Sequence, residues 1–128
     1  MMHLEHVALY VCDLEGIKDF FVEFFDAVPS ALYHNPRTNF KSYFLRFDGG
    51  TRLEVMTRPE LLTQNDTQMR TGYIHLAFKV GSNGEVDRIT HLLEKKGYAI
   101  ASGPRITGDG YYESQIVGIE GNIIEICA

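Results

Sequence analysis

The chain has 128 residues, of which 45% are hydrophobic and 23% are charged, and its formal net charge at pH 7 is −5. This length suits one compact domain, and the balance of residue types is that of a globular protein, which excludes an intrinsically disordered chain. An acidic chain without a run of Lys or Arg lacks the positive patch that nucleic acids and anionic membranes attract. We therefore expect a small molecule as substrate or ligand, and neither a nucleic acid nor a membrane as partner.

We expect this chain to be neither exported nor inserted into a membrane. The N-terminus lacks a basic region followed by a continuous apolar stretch, because Glu5, Asp13 and Glu15 interrupt it. No later segment approaches the roughly 18 apolar residues of a membrane-spanning helix. Cys12 and Cys127 are too few for a disulfide framework and lack a zinc-binding spacing, so both are expected to be reduced thiols. These features predict a cytoplasmic protein.

The first half of the chain predicts a strand, a helix and three more strands. Along residues 3–11, aliphatic side chains such as Val7, Leu9 and Val11 occupy every second position, which is the period of a half-buried strand. After Asp13, a candidate helix N-cap, apolar residues recur at the spacing of an amphipathic helix, which Pro29 is expected to end. The strand-like segments that follow are 31–34, 40–47 and 51–57, and the last two are joined by an Asp-Gly-Gly hairpin connection.

The second half repeats this order of elements. Its predicted segments are a strand at 72–80, a helix at 84–96 and strands at 98–101, 111–117 and 122–127. The Gly- and Pro-containing segment 102–110 is predicted to be a loop, long enough to act as a mobile rim or lid.

These patterns predict an α+β fold made of two βαβββ modules. The first module spans residues 1–57, the linker 58–72 and the second module 73–128, within a single domain. The strands should form curved mixed sheets with the helices on the outside.

A sequence repeat relates the two modules. His6-Val-Ala-Leu matches His75-Leu-Ala-Phe, and the segment around Glu54 matches the segment around Glu125. Each match is offset by roughly 70 residues, as duplication of a supersecondary unit produces. A His and a Glu thus recur at equivalent strand positions in both modules.

A single His or Glu in a strand is more often a hydrogen-bonded or solvated side chain than a metal ligand. The repeat changes this interpretation, because the four residues occupy equivalent places in two copies and each Glu shares its strand face with at least one apolar residue. A carboxylate in such a place is costly unless it is paired, protonated or metal-bound. Two imidazoles and two carboxylates suit a divalent transition metal.

The repeated modules, the His6 and His75 segments and the terminal Glu-Gly-Asn-Ile-Ile-Glu125-Ile segment resemble the vicinal oxygen chelate superfamily. Within it, the chain is most similar to glyoxalase I (lactoylglutathione lyase) and the bleomycin resistance proteins. The resemblance covers essentially the whole chain. Glyoxalase I binds its metal through His, Glu, His and Glu, and the resemblance assigns these roles to His6, Glu54, His75 and Glu125.

The resemblance implies a proton shift beside a metal-bound carbonyl. The metal would be Ni, Zn, Co, Mn or Fe and would stabilise an enediolate, while Glu125 would move the proton between adjacent carbons. Glu54 is the symmetric alternative for this role. The resemblance also implies a homodimer, although the superfamily contains both pairing of modules within one chain and pairing across two chains.

Several positions depart from bacterial glyoxalase I. Tyr10 and Arg58 stand where that enzyme has a glutathione-contacting Arg and an Asn, which argues against recognition of glutathione itself. Arg105 is a candidate partner for an anionic substrate group, and Tyr112 is a candidate pocket residue.

Two alternative functions remain open at this stage. An Fe(II) extradiol-type dioxygenase would use two His and one carboxylate of the set. A non-catalytic drug- or metabolite-binding protein, as in the bleomycin resistance branch, would need no metal ligands.

Overall fold

The computed structural model describes residues 1–63 and 71–128. The chain divides between residues 66 and 67 into two compact units, each built on one sheet. The predicted linker 58–72 contains residues 64–70, which lie outside the described residues. Within the described part, no helix is long and apolar enough to cross a membrane.

The elements of unit 1 are β1 (His6–Tyr10), α1 (Leu14–Phe25), β2 (Val28–Pro29), β3 (Tyr33–Asn35), β4 (Phe40–Arg46) and β5 (Arg52–Thr57). Its sheet has strand order β1-β5-β4-β2, and β3 also pairs with β4. Strands β1 and β5 are parallel, and the other pairs are antiparallel.

Helix α1 covers one face of this sheet. The Asp13 side chain accepts a hydrogen bond from the Gly16 N–H at 2.9 Å and so caps the helix N-terminus. The helix ends at Phe25, and Asp26 adopts a left-handed conformation with φ 54°. The side chains that α1 and the sheet bury in the core of unit 1 include Ile17, Phe20, Phe21, Phe24, Leu45, Leu53 and Val55.

The sheet of unit 2 has strand order β6-β9-β8-β7, with β6 and β9 parallel. Its elements are β6 (His75–Lys79), α2 (Asn83–Lys95), β7 (Ile100–Ile106), β8 (Tyr112–Val117), a 3₁₀ turn (Ile119–Gly121) and β9 (Ile123–Cys127). Ser82 caps α2 through a hydrogen bond from the Glu85 N–H. The core of unit 2 is formed by Val86, Ile89 and Leu93 of α2 with Ile116, Ile124 and Ile126 of the sheet.

Two buried hydroxyls join α2 to the sheet. Thr90 Oγ1 donates to the Val86 carbonyl at 2.5 Å and lies 2.6 Å from Ser114 Oγ on β8. Both side chains are almost fully buried. The contact between Thr90 and Ser114 therefore gives each hydroxyl a hydrogen-bonding partner, without which its removal from water would be costly.

The α+β architecture of two repeated modules is confirmed, but two predicted details were wrong. The segment 102–110 is a loop only in its second part, because β7 continues to Ile106. Gly103-Pro104 lies within β7, in the interval between Ser102 and Arg105 where the register with β8 shifts. Proline is tolerated there since β7 is an edge strand. In unit 1, Pro29 does not end the helix but forms part of β2.

Candidate metal-binding pairs

In unit 1, the parallel pairing of β1 with β5 brings His6 next to Glu54. His6 lies opposite Arg52, and Ala8 lies opposite Glu54, so the His and the Glu share one face with an offset of two residues. His6 Nε2 is 3.9 Å from Glu54 Oε1. This face is opposite to the one that α1 covers, because Leu53 and Val55 alternate with Glu54 and are buried.

Unit 2 repeats the arrangement in the same register. His75 lies opposite Ile123, and Ala77 lies opposite Glu125. His75 Nε2 is 3.4 Å from Glu125 Oε2. The predicted equivalence of the two His–Glu pairs is therefore also a structural equivalence, each within its own unit.

Both carboxylates are more buried than their histidine partners. The side chains of Glu54 and Glu125 are 18% and 15% exposed, whereas those of His6 and His75 are 40% and 28% exposed. A partly dehydrated carboxylate needs a positive or hydrogen-bonding partner, and a cation held between it and the imidazole nitrogen would be one.

The donor atoms of each pair fit a divalent transition metal. One imidazole nitrogen and one carboxylate oxygen face each other, and this mixed N/O set suits Zn, Ni, Co, Mn or Fe. Within either unit, the described residues hold no group of three or more His, Cys, Asp or Glu side chains that could by itself bind a metal ion. Each pair by itself therefore offers two candidate metal ligands.

Three further side chains surround His6. Glu5 contacts the imidazole through Oε2 and accepts hydrogen bonds from Arg52 through Oε1. The hydrogen bond from His6 and the neighbouring Arg52 hold the pKa of Glu5 below its usual value. The Phe44 ring meets the imidazole edge to face, with 5.5 Å between the ring centroids.

Glu125 has a different environment. Gln115 Nε2 on β8 donates to Glu125 Oε2 at 3.2 Å, and Gln115 is the register partner of Glu125. Glu113 lies two residues before Gln115 on the same face, and burial together with the neighbouring Glu125 carboxyl raises the pKa of Glu113. Burial, with smaller contributions from these two carboxylates, also raises the pKa of the Cys127 thiol.

The structure brings together the two residues that depart from bacterial glyoxalase I. Arg58 hydrogen-bonds to Tyr10 and forms an ion pair with Glu60 at 3.0 Å. Tyr10 is half exposed and shares its strand face with His6. The pair therefore lies at the far end of the strand that carries His6.

The other two predicted substrate residues lie on opposite faces of the sheet of unit 2. Arg105 is the register partner of Glu113 and donates to Ser102 Oγ at 3.0 Å, so it belongs to the face of Glu125. Tyr112 instead hydrogen-bonds to Asp87 on α2. The role of Tyr112 in a substrate pocket stays a prediction, and Glu113 is the residue of that segment that accompanies Glu125.

Sequence reasoning missed Glu5 and Gln115 and did not connect Glu113 with Glu125. Alternation along β8 places Glu113 and Gln115 on one face, but only the pairing with β9 shows that Glu125 shares it. Glu5 falls within the predicted strand 3–11, where alternation places it on the face opposite His6, but β1 begins only at His6, so this alternation does not extend to Glu5.

Comparison with known proteins supports this reading of the fold. The family model described as Glyoxalase/Bleomycin resistance protein/Dioxygenase superfamily matches residues 3–126. The uncharacterized protein YqjT of Bacillus subtilis (strain 168) is 30% identical over 112 residues, which are 85% of this chain and 85% of that protein.

Two solved structures illustrate the range of similar proteins. The trypanothione-dependent glyoxalase I of Leishmania major has 18% identity and a TM-score of 0.78, over 99% of this chain and 86% of that one. The fosfomycin resistance protein FosX of Listeria monocytogenes, complexed with Mn(II) and sulfate, has 20% identity and a TM-score of 0.72. That match covers 100% of this chain and 93% of the FosX chain.

The raised pKa of Glu113 predicts a pH-dependent gain in stability from Glu113→Gln in protein freed of metal by chelation. A carboxyl whose pKa is raised by folding destabilises the folded state once pH rises through the folded-state pKa. Glu113→Gln should therefore unfold at higher urea concentration than the unsubstituted protein at pH well above 4.5, the ordinary value for Glu. Below that value the two proteins should be equally stable.

The matched control is Glu94→Gln, which removes an exposed carboxylate on α2. The stability difference between this variant and the unsubstituted protein should change little with pH. A Glu113→Gln variant that behaves like this control would contradict the interaction between Glu113 and Glu125.

Proposed function

Because the chain belongs to the Glyoxalase/Bleomycin resistance protein/Dioxygenase superfamily, we propose that it is a metal-dependent lyase or isomerase like glyoxalase I. Its reaction moves a proton next to the carbonyl of a small thiol adduct or a related substrate. The observation that carries this proposal is the His–Glu pair that recurs in the same strand register in both units. Two nitrogen and two oxygen ligands match the ligand set of the glyoxalase I branch. An extradiol-type dioxygenase would instead use two His and one carboxylate.

The proposed metal ligands are His6, Glu54, His75 and Glu125. In each pair the His Nε2 atom is directed to a carboxylate oxygen, as expected of two groups that share a cation. The similarity to FosX, whose structure contains Mn(II), supports a divalent metal in this fold. When bound, the metal supplies Lewis-acid stabilisation of the negative charge that develops on the substrate oxygens.

Glu125 is the proposed base for the proton shift. Its Oε2 accepts a hydrogen bond from Gln115 and faces His75, so we assign the proton transfer to Oε1. Glu125 removes the proton from one carbon of the substrate and returns it to the adjacent carbon, which leaves the carboxylate ionised for the next turnover. Glu54 is the symmetric candidate, but in unit 1 the register position that corresponds to Gln115 holds Phe44.

Tyr10, Arg58 and Arg105 are the proposed substrate-binding residues. The Arg58 guanidinium is oriented by Tyr10 and Glu60, and a guanidinium is suited to a carboxylate on the substrate. Arg105 supplies a second positive charge on the face of Glu125. Since neither Tyr10 nor Arg58 matches bacterial glyoxalase I, we propose a thiol other than glutathione as the carrier.

We also propose that the protein is a homodimer, as family resemblance implies. Light scattering of the purified protein should give twice the mass of one chain at micromolar concentration. The mass of a single chain over the whole accessible concentration range would contradict this assignment.

Metal binding should be stoichiometric and should depend on His75. The purified protein, reconstituted with divalent transition metals and desalted, should retain one metal ion per chain in elemental analysis. His75→Ala should lose most of this metal, because one of two nitrogen ligands is removed. His91→Ala, which changes an exposed His on α2, should retain it. An unsubstituted protein that retains no metal would contradict the proposed function.

The proton shift should depend on Glu125. In an assay of hemithioacetals formed from several thiols, Glu125→Gln should lower kcat by about 10²–10⁴-fold, since the amide cannot accept the proton. The control Glu94→Gln should leave kcat unchanged. Glutathione adducts should be poorer substrates than those of at least one other thiol. Unchanged turnover by Glu125→Gln across the panel would contradict the assignment of the base.

A further inference from the structure

We propose that Glu5 is a positioning residue that orients His6 for metal binding. Its carboxylate fixes the imidazole with the proton on Nδ1, which leaves the Nε2 lone pair available to the metal. This inference rests on the proposed function, because it assigns a role to Glu5 through the first of the proposed ligands.

The contacts of Glu5 link the imidazole to a guanidinium. His6 Nδ1 hydrogen-bonds to Glu5 Oε2. The other oxygen, Oε1, accepts from Arg52 Nε at 2.7 Å and from Arg52 Nη2 at 2.5 Å. With both oxygens occupied, the carboxylate has little freedom to rotate away from the imidazole.

Arg52 and His6 are also held by a common aromatic ring. The Arg52 guanidinium carbon lies 4.0 Å from the centroid of Phe44, a distance typical of a cation–π contact. The edge-to-face contact of His6 with the same ring has an interplanar angle of 85°. Glu5, His6, Arg52 and Phe44 thus form a closed cluster that restricts rotation of the imidazole.

The geometry of the cluster determines which imidazole nitrogen remains available. An ionised carboxylate only accepts hydrogen bonds, so the nitrogen beside Glu5 must carry a proton. In a neutral imidazole the other nitrogen then has the lone pair, and this atom, Nε2, is the one that faces Glu54. A carboxylate that fixes the tautomer in this way commonly raises metal affinity.

Unit 2 holds its ligands differently, which makes the Glu5 cluster specific to His6. The residue before His75 is Ile74, and the register partner of His75 is Ile123, so neither can pair with Nδ1. In that unit the oriented ligand is Glu125, through Gln115.

An alternative explanation is that Glu5 and Arg52 form only a surface ion pair. The Glu5 side chain is 49% exposed, and exposed ion pairs contribute little to stability. A purely structural pair would affect neither the His6 tautomer nor metal affinity, so these two quantities distinguish the explanations.

The test compares Glu5→Ala and Glu5→Gln with the unsubstituted protein. In chelated, metal-free protein at a pH well above the ordinary pKa of histidine, long-range ¹H–¹⁵N NMR correlations report the His6 tautomer, with His6→Gln to assign the signals. The unsubstituted protein should show the Nδ1–H form, and Glu5→Ala should shift the population toward Nε2–H. Calorimetry with Zn²⁺ and with Mn²⁺ should show a Kd about 10–100-fold higher for Glu5→Ala.

The His6 tautomer population and the Kd of Glu5→Gln should lie between those of the unsubstituted protein and of Glu5→Ala, because the Gln amide oxygen still accepts a hydrogen bond from Nδ1. The matched control is Glu85→Ala, since Glu85 pairs with Arg88 through Nε at 3.0 Å and Nη2 at 2.8 Å but does not act on a proposed ligand. This control should change neither the tautomer nor the Kd.

The outcomes separate the inference from the function on which it rests. A shifted tautomer together with weakened metal binding in Glu5→Ala supports the inference. A metal-binding protein whose tautomer and Kd are unchanged in Glu5→Ala overturns the inference and leaves the proposed function intact. An unsubstituted protein that binds neither metal overturns both, even where NMR shows the Nδ1–H form.

Discussion

The parallel pairing of the first and last strands within each unit is the constraint on which the candidate site depends. In a parallel pair, register partners share a face, so a fixed register also fixes which side chains can meet. His6 and His75 each lie two residues before the partner of the nearby Glu. A shift of one residue in the register of β5 or β9 would place Glu54 or Glu125 on the sheet face that the helix covers. The buried residues that alternate with Glu54 and Glu125 prevent such a slip.

The two units support their ligands with different chemistry, although their backbones repeat. In unit 1, ionic and aromatic contacts hold the imidazole, through Glu5, Arg52 and Phe44. In unit 2, an amide holds the carboxylate, through Gln115. We infer that duplication preserved the positions of the candidate ligands while the surrounding residues diverged. This divergence supports the proposal that the two carboxylates have distinct roles.

Much of the fold could be predicted because strong periodicity leaves few alternatives. The apolar spacing along α1 and the alternation along β5 allow only one element type each. Prediction failed where local composition and tertiary context disagree, as in β7. There Gly103-Pro104 suggested a loop, but an edge strand can include a proline without losing an interior hydrogen bond. Glu5 was missed for a related reason, since the predicted strand 3–11 places it on the face opposite His6, whereas β1 begins only at His6.

The sequence by itself determined the repeated architecture and the four candidate ligands, because alternation and duplication are properties of residue order. Only the tertiary structure decided which neighbours act on those ligands. Gln115 and Arg52 reach their partners through pairing between strands, and the distance along the chain does not encode this pairing. The same holds for Tyr112, whose direction toward α2 follows from which face of β8 the helix covers. The residue types determine which chemical groups are present, and the strand register determines which of these groups lie close enough to interact.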